Sequence, residues 1–253
     1  MLKSWLKRLV PDLGRLKLFE IGCGTGSSSA ALATACKSIV AFDVVEDQVA
    51  LATQRFACFG ASNARALAAS FDGILTALES ETDVDGVLLF ASLEHMHVEE
   101  RLEVLRRAWC KLPAGGILVV CETPNRLCYF DPHTFRQPFV NLLPPNLARL
   151  WIEHCTNDAI RDELAAMPSD DFMAMREKMV RIGQNGISFH EFELAIGPQV
   201  HSHVTSGAND PEISVFNEPY ILEQDLLRLY LRQRVPHVHE SFAMPLLYVV
   251  LRR

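Results

Sequence analysis

The sequence predicts a doubly wound α/β fold with a mostly parallel sheet. Between Lys17 and Glu122, short apolar runs alternate with segments of helical periodicity, which is the pattern of parallel strands joined by crossover helices. The 253 residues are 49% hydrophobic and 22% charged, so the chain can bury one large core. The alternation stops at Thr123 and returns near Ile221. We therefore expect a single domain, 1–253, with an N-terminal helix 1–13, a core formed by 14–123 and 221–253, and an insertion or cap 124–220.

The predicted core elements follow in a regular order. The first strand, 17–21, precedes a helix at 27–36 whose small residues suit close packing on a sheet. A second strand, 39–42, precedes a helix that ends at Gly60. A weaker strand and helix follow, and then come a strongly apolar strand, a helix over 98–112, a glycine-rich turn and a fifth strand.

The insertion is expected to be mainly helical and to cover the substrate, with helices at 147–154 and 170–182. After it, a helix at 221–234 precedes two further strands, 235–243 and 245–251. Because no crossover helix fits between these strands, we expect them to form a C-terminal antiparallel hairpin.

Charge and composition disfavour several classes of protein. The net charge is −7 and no long basic block occurs, so a nucleic-acid partner is not expected. No apolar stretch approaches the ~18 to 20 residues that span a bilayer, so we expect no integral membrane association. The seven cysteines include no CxxC pair, which fits reduced thiols in the cytoplasm. The basic amphipathic N-terminus predicts a lid or docking helix, with a membrane-surface helix as the alternative.

Three glycines mark a ligand-binding loop. Gly22, Gly24 and Gly26 lie between the first strand and the following helix, where missing side chains allow a tight turn and the close approach of a ligand. Asp43 ends the next strand, where its carboxylate can accept hydrogen bonds from both hydroxyls of a ribose. Together these residues predict a nucleotide-like ligand at this edge of the sheet.

The spacing of the glycines distinguishes between nucleotide ligands. A dinucleotide fingerprint is G-x-G-x-x-G, whereas the third glycine comes one residue sooner in the motif EIGCGTG. Glu20 stands directly before the loop, where a carboxylate repels a pyrophosphate but favours an ammonium or sulfonium group. The motif EIGCGTG resembles the first motif of the class I S-adenosylmethionine-dependent methyltransferases, a family with a Rossmann-like fold.

The resemblance covers 18–122 and implies S-adenosyl-L-methionine as the cofactor. It implies that Glu20 and the glycine loop hold the methionine end of the cofactor and that Asp43 holds the ribose. The stretch FASLEHMH is similar to the end of the fourth strand in this family. Ser70 and Phe71 stand where many relatives have an aspartate for the adenine. The cofactor-binding residues that the resemblance implies are Glu20, Gly22, Cys23, Gly24, Gly26, Asp43, Val44, Ser70, Phe71, Ala91 and Ser92.

Methyl transfer from a sulfonium is an in-line displacement, in which good alignment can be worth ~7 to 11 kcal/mol. A hydroxyl acceptor also benefits from a general base, which typically contributes ~10² to 10⁴-fold. His95 follows the fourth strand, in the region that the resembled family places beside the transferred methyl group. We expect His95 to be catalytic, with helix capping or packing as the alternative and His97 as a weaker second choice.

The segment after the fifth strand resembles the corresponding region of some bacterial small-molecule and surface-glycan methyltransferases. This resemblance implies that Asn125, Arg126 and His133 face the substrate, with His133 as a second catalytic residue. The alternative is that these polar side chains pin a proline-rich loop, since polar loop residues serve both ends.

Histidines recur in the insertion at His190, His201 and His203. A strand there would point His201 and His203 to one face, as metal ligands require. No pair of histidines or cysteines completes a strong zinc spacing, so we predict no metal and expect substrate contacts or surface positions instead.

The sequence as a whole predicts a cytoplasmic enzyme that transfers a methyl group from S-adenosyl-L-methionine to a small-molecule acceptor. Oxygen is the preferred acceptor atom because histidines flank the expected methyl site, and nitrogen is the next choice. A nicotinamide-dependent oxidoreductase and a non-catalytic partner subunit that binds the cofactor are the alternatives. A homodimer is also compatible with the sequence.

Overall fold

The computed structural model describes residues 2–167, 171–184, 186–205 and 218–253. The strands of the sheet are β1 (Lys17–Ile21), β2 (Ser38–Asp43), β3 (Ala64–Ala68), β4 (Gly86–Phe90), β5 (Ile117–Pro124) and β6 (Leu246–Arg252). The α-helices in the described ranges are α1 (Leu2–Leu9), α2 (Ser27–Ala33), α3 (Glu46–Cys58), α4 (Phe71–Ser80), α5 (Val98–Lys111), α6 (Pro145–Leu150), α7 (Asp158–Ala165), α8 (Phe172–Arg181), α9 (Phe189–Ile196) and α10 (Ile221–Arg234).

The six strands form one sheet in the order β3-β2-β1-β4-β5-β6. Strands β1 to β5 pair in parallel, and β6 pairs antiparallel with β5. This arrangement confirms the predicted doubly wound, mostly parallel sheet with an antiparallel C-terminal pair. The strand order reverses between β1 and β4, and ligands of open α/β sheets bind at such a switch point, outside the carboxyl ends of the strands.

Helices cover both faces of the sheet because successive strand residues point to opposite sides. On β1, Phe19 belongs to a core cluster with residues of α4, α5, α9 and α10. Its neighbour Leu18 belongs to the opposite cluster, which contains residues of α1, α2 and α3. In α1, Trp5 is fully buried and its ring meets that of Tyr248 on β6 edge to face, with the centroids 5.8 Å apart. The basic N-terminal helix therefore docks on the core through its apolar side.

The predicted hairpin at the C-terminus is wrong in its first strand. Residues 235–243 include a 3-10 helix, Glu240–Ala243, and the strand that follows pairs with β5 instead. The side chain of His239 caps this turn by accepting a hydrogen bond from the backbone N–H of Ser241 at 3.2 Å. Phe242 and Ala243 are buried in the core without an extended backbone, so the apolar residues that suggested a strand are satisfied by a helical turn.

The insertion carries α6 to α9 and builds a small core of its own, which includes Phe135, Ile152, Met175 and Met179. The predicted helix at 170–182 is present as α8, although residue 170 lies outside the described residues. Helix α8 begins after Asp171, whose side chain accepts a hydrogen bond from the N–H of Ala174 at 2.9 Å. The predicted helix at 147–154 divides into α6 and a 3-10 turn, Ile152–His154.

Within the ranges listed above, no helix combines the length and the apolar composition needed to cross a membrane.

Candidate active site

The glycine loop after β1 is held tightly against its neighbours. Gly22, Gly24 and Gly26 have φ angles of 76°, 51° and 74°, a region that residues with a side chain rarely adopt. A Cβ on Gly22 would lie 2.6 Å from Cβ of Ser92, and one on Gly26 would lie 2.8 Å from Cβ of Ala52. The glycines therefore allow the loop to pack against the end of β4 and against α3.

Asp43 connects the glycine loop to the end of β2. One carboxylate oxygen accepts a hydrogen bond from the N–H of Gly24 at 2.7 Å, and the other accepts from the N–H of Val45 at 3.0 Å. Each carboxylate oxygen can accept a second hydrogen bond. Asp43 thus fixes the loop while keeping acceptor capacity for ligand hydroxyls at the wall of the cavity described below.

Glu20 lies beneath the loop and is fully buried. Its two carboxyl oxygens accept hydrogen bonds from the hydroxyls of Ser28 and Ser29 on α2. Burial raises the pKa of Glu20 from 4.5 to about 7, because removal from water disfavours the charged form. The carboxyl group is therefore held behind the loop, and Glu20 does not line the cavity.

A cavity of about 600 Å³ opens at the carboxyl ends of β1, β2 and β4. Predicted site residues that line it are Gly22, Asp43, Val44, Phe71, Ala91, Ser92 and His95. Ala91 has a left-handed φ of 46°, a strained conformation that is typical of functional sites. Five predicted cofactor residues lie outside the lining: Glu20, Cys23, Gly24, Gly26 and Ser70. The hydroxyl of Ser70 caps α4 by accepting from the N–H of Gly73 at 3.2 Å.

Several residues that line the cavity were not predicted from the sequence. They are Ile21, Val45, Gln48, Ile74, Met96, Glu100 and Arg181. Arg181 comes from α8 in the insertion, and its guanidinium lies 3.1 Å from the Glu100 carboxylate and donates to the carbonyl of His95 at 3.1 Å. The insertion thus closes one side of the cavity. No local motif marks Arg181, whereas Ile74 could have been found from its helical spacing to Phe71 on α4.

His95 and His133 are neighbours; His95 lines the cavity, whereas His133 lies behind it, outside the lining. Their rings meet edge to face with centroids 5.8 Å apart. Nδ1 of His95 lies 2.7 Å from the carbonyl oxygen of Arg181, so we assign the proton to Nδ1 and a free lone pair to Nε2. Burial lowers the pKa of both imidazoles, and each ring is therefore neutral at neutral pH.

Glu94 lies beside these two histidines and was not predicted. It is fully buried, and neither carboxyl oxygen has a hydrogen-bond partner of good geometry, although the Thr123 hydroxyl and the Arg101 guanidinium lie close enough to act on it. Burial raises the pKa of Glu94 to about 8. Oε1 of Glu94 is 3.9 Å from Nε2 of His95, which is too far for a hydrogen bond.

Asn125 and Arg126 are held by contacts to the protein. The amide of Asn125 donates to the carbonyls of Phe242 and Met244 at 2.7 and 3.0 Å. Arg126 donates to the carbonyl of Gly186 at 2.8 Å and lies 3.3 Å from the Glu191 carboxylate. These contacts favour the alternative that Asn125 and Arg126 hold the loop in place and do not face the substrate. Arg126 lines a separate cavity of about 270 Å³.

The histidines of the insertion are dispersed. His201 and His203 lie in a 3-10 helix, Pro198–His203, and not in a strand, so the hypothesis of two rings on one strand face is wrong. Nε2 of His201 is 2.8 Å from Glu193, and Nδ1 of His203 is 2.8 Å from the carbonyl of Arg252. His190 stacks on the adjacent Phe189, with ring centroids 3.9 Å apart.

Comparison with known families supports a specific chemistry for this cavity. Residues 18–116 match a family model described as "Methyltransferase domain". The match contains the glycine loop, Asp43 and the end of β4; it confirms a methyltransferase domain over 18–116 and supports S-adenosyl-L-methionine as its cofactor. No curated protein matches the sequence.

Several solved structures are similar over part of the chain. An rRNA methylase from Streptococcus thermophilus is 18% identical with a TM-score of 0.39, over 45% of this chain and 66% of that chain. An amino pentose methyltransferase from Micromonospora echinaspora, with bound S-adenosylmethionine, is 21% identical with a TM-score of 0.37, over 47% and 46%. An N-methyltransferase from Bradyrhizobium japonicum, in complex with S-adenosyl-L-homocysteine, is 22% identical with a TM-score of 0.40, over 49% and 62%. The matching region spans less than two thirds of each solved chain.

Proposed function

We propose that the whole chain is an S-adenosylmethionine-dependent methyltransferase that acts on a small-molecule acceptor, on oxygen in preference to nitrogen. One observation carries the proposal. The cavity at the switch point of the sheet is lined both by Asp43, whose carboxylate can accept hydrogen bonds from a ribose, and by the neutral imidazole of His95. A single space therefore holds a site for the donor and a group that can serve the acceptor.

The donor side of the proposal rests on the glycine loop, on Asp43, which holds the loop, and on Glu20, which lies behind it. S-Adenosyl-L-methionine supplies an activated methyl group on a sulfonium when it is bound. Asp43 accepts hydrogen bonds from the ribose hydroxyls while it keeps its own hydrogen bonds to the loop. Phe71 and Val44 flank the adenine. Glu20 acts from behind the loop, where its buried carboxylate favours a positively charged ligand over S-adenosyl-L-homocysteine.

On the acceptor side, His95 and the insertion are the main contributors. In the proposal, His95, with His133 beside it, promotes the loss of the proton of an acceptor hydroxyl as the methyl group is transferred. Arg181 and the rest of the insertion exclude water and hold the acceptor in line with the donor. This assigns donor binding to the core, 14–123 and 221–253, and substrate choice to the insertion, 124–220.

The alternatives from the sequence are not favoured. A dinucleotide would place its pyrophosphate against a loop that has Glu20 directly behind it and lacks the dinucleotide glycine spacing. A partner subunit that binds the cofactor without turnover would share the donor site, and the turnover experiment below separates it from an enzyme.

We also propose a cytoplasmic location, since all seven cysteines are free thiols and five of them are buried. The net charge of −7 supports a small molecule over a nucleic acid as the acceptor. A homodimer stays a prediction, which light scattering on the purified protein tests directly.

The function is tested by following S-adenosyl-L-homocysteine formation in the presence of a small-metabolite extract from which macromolecules have been removed. We expect product formation with the wild type, its loss in Asp43→Ala, and its retention in Asp47→Ala, which removes an exposed acid four residues away. Product formation with RNA but with no metabolite fraction would contradict the small-molecule assignment. No product with any acceptor, despite tight donor binding, would favour the non-catalytic subunit.

A further inference from the structure

Glu94, His95 and His133 place three metal-binding side chains around one point beside the cavity. One ligand atom from each residue lies within 4.8 Å of the ligand atoms of the other two. Two imidazole nitrogens and one carboxylate oxygen form a ligand set found in catalytic zinc sites and in non-haem iron sites. Hard cations such as Ca²⁺ and Mg²⁺ prefer oxygen ligands, so this donor set favours a transition metal.

The unpaired carboxyl group of Glu94 points to a ligand. Both oxygens are buried and neither makes a hydrogen bond of good geometry, although the Thr123 hydroxyl and the Arg101 guanidinium lie close enough to favour the charged form. Buried polar groups are nearly always paired, because leaving one unpaired costs about 1–3 kcal/mol and more for a charged group. The closest nitrogen of His95 is 3.9 Å from Oε1, a separation at which both atoms can reach a cation lying between them.

The hydrogen bonds of the two histidines leave nitrogen lone pairs free at this point. His95 donates from Nδ1 to the carbonyl of Arg181 at 2.7 Å, and Nδ1 of His133 lies 3.0 Å from the hydroxyl of Thr134. In metal-bound histidines, the ring nitrogen that does not bind the metal usually makes a hydrogen bond, which fixes the orientation of the ring.

The chain also passes closely over the cluster at Gly183. A Cβ at this position would lie 2.8 Å from Cε1 of His133 and 3.0 Å from Cγ of Glu94. The turn after α8 therefore covers His133 and Glu94, while the side chain of His95 stays 41% exposed and leaves an open side toward the cavity. A preformed arrangement lowers the cost of ordering the ligands when an ion binds.

A second cluster in the described part of the chain provides a contrast. Glu193, His201 and His237 also lie within 4.8 Å of one another. The same Glu193 oxygen is 2.8 Å from Nε2 of His201 and 3.3 Å from Nε2 of His237, and Nδ1 of His201 accepts from the N–H of His239 at 3.3 Å. Hydrogen bonds and ion pairs account for this cluster without an ion.

We propose that Glu94, His95 and His133 bind a divalent transition-metal ion such as Zn²⁺ beside the cavity, at the wall formed by His95. The role of the ion rests on the proposed function: it would bind the acceptor oxygen as a Lewis acid and favour its deprotonated form, with the proton passing to water. The two imidazoles would then hold the ion and would not act as bases themselves.

Zn²⁺ titration calorimetry on the full chain, after dialysis against a chelator and without methyl donor, tests the site. We expect one equivalent of Zn²⁺ on the wild type. Glu94→Gln and His133→Ala each remove a proposed ligand and should weaken Zn²⁺ binding by more than ~10–100-fold. That range is typical when a residue that only hydrogen-bonds to a metal ligand is replaced. His237→Ala removes a histidine from the second cluster and should bind Zn²⁺ like the wild type.

Co²⁺ serves as a spectroscopic probe of the same variants, since its visible absorption reports coordination by nitrogen. Circular dichroism checks that each variant is folded, and His133→Ala decides the question if Glu94→Gln does not fold. Wild-type Zn²⁺ binding in the folded His133→Ala variant, its loss in His237→Ala, or no binding by the wild type would each overturn the proposal. Because no donor is present, a failure of methyl transfer leaves these outcomes unchanged.

Discussion

The buried carboxyl of Glu20 makes the stability of the protein depend on pH. Its pKa is about 7 in the folded protein against an ordinary value of 4.5, because burial disfavours the charged form. The folded state therefore binds more protons than the unfolded state between these values. Stability from this group is fully present below pH 4.5 and is lost as pH rises through 7, and the difference amounts to about 3 kcal/mol.

Replacing Glu20 with Gln removes this ionisation while keeping the shape of the side chain and its contacts to Ser28 and Ser29. We expect the free energy of unfolding of Glu20→Gln, relative to the wild type, to rise by about 3 kcal/mol between pH 4.5 and pH 8. Urea denaturation at a series of pH values, without cofactor, measures this difference. Glu99→Gln, an exposed change on α5, controls for the loss of one negative charge.

A difference between Glu20→Gln and the wild type that stays constant with pH would refute the reasoning. It would mean that water or a rearrangement of α2 solvates the carboxylate, so that the group titrates alike in the folded and unfolded chains. A matching pH dependence in Glu99→Gln would show that general charge repulsion, and not burial of one group, causes the effect.

Three further predictions concern packing and closure. In urea denaturation, Gly26→Ala should destabilise the fold by about 1–3 kcal/mol more than the control Gly60→Ala. Both glycines have positive φ, but a Cβ on Gly26 would meet Ala52, whereas nothing lies within 4 Å of a Cβ on Gly60. Equal losses of stability would contradict the close packing of the loop on α3. Trp5→Ala should cost about 3–5 kcal/mol in the same assay, and a negligible loss would show that α1 does not dock. Arg181→Ala should weaken S-adenosyl-L-homocysteine binding by at most about fivefold in calorimetry. The change removes the ion pair of Arg181 with Glu100, and half-exposed ion pairs contribute ~0–1 kcal/mol. A much larger loss of affinity would indicate that Arg181 contacts the ligand directly.

The sequence predicts the core of the fold well because two local signals agree there. Buried parallel strands such as β1 and β4 are continuous apolar runs, and each is followed by a segment of helical periodicity. The region 235–243 lacks this agreement. Its apolar residues fit a strand by composition, but burial of Phe242 is reached by a 3-10 turn that depends on the cap from His239.

The donor side of the candidate site follows from short-range sequence patterns, whereas the acceptor side depends on distant parts of the chain. Gly22 and Asp43 end adjacent strands, so their meeting is a consequence of the parallel sheet. Arg181 reaches the cavity only because the insertion folds back over β4. The sequence gives no sign that Glu94 is buried, because a glutamate after a strand is normally exposed. In the structure, the turn at Gly183 covers its side chain.

The most direct test of the central claim is titration calorimetry of the wild type and Asp43→Ala with S-adenosyl-L-methionine, S-adenosyl-L-homocysteine and NAD⁺. We expect one site for the first two ligands on the wild type, tighter binding of S-adenosyl-L-methionine than of S-adenosyl-L-homocysteine at pH 8, and loss of both in Asp43→Ala. A ligand at a hundred times its dissociation constant should stabilise the fold by ~2.7 kcal/mol. NAD⁺ should not bind, and NAD⁺ binding that depends on Asp43, with no binding of S-adenosyl-L-methionine, would show that the cavity holds a dinucleotide instead.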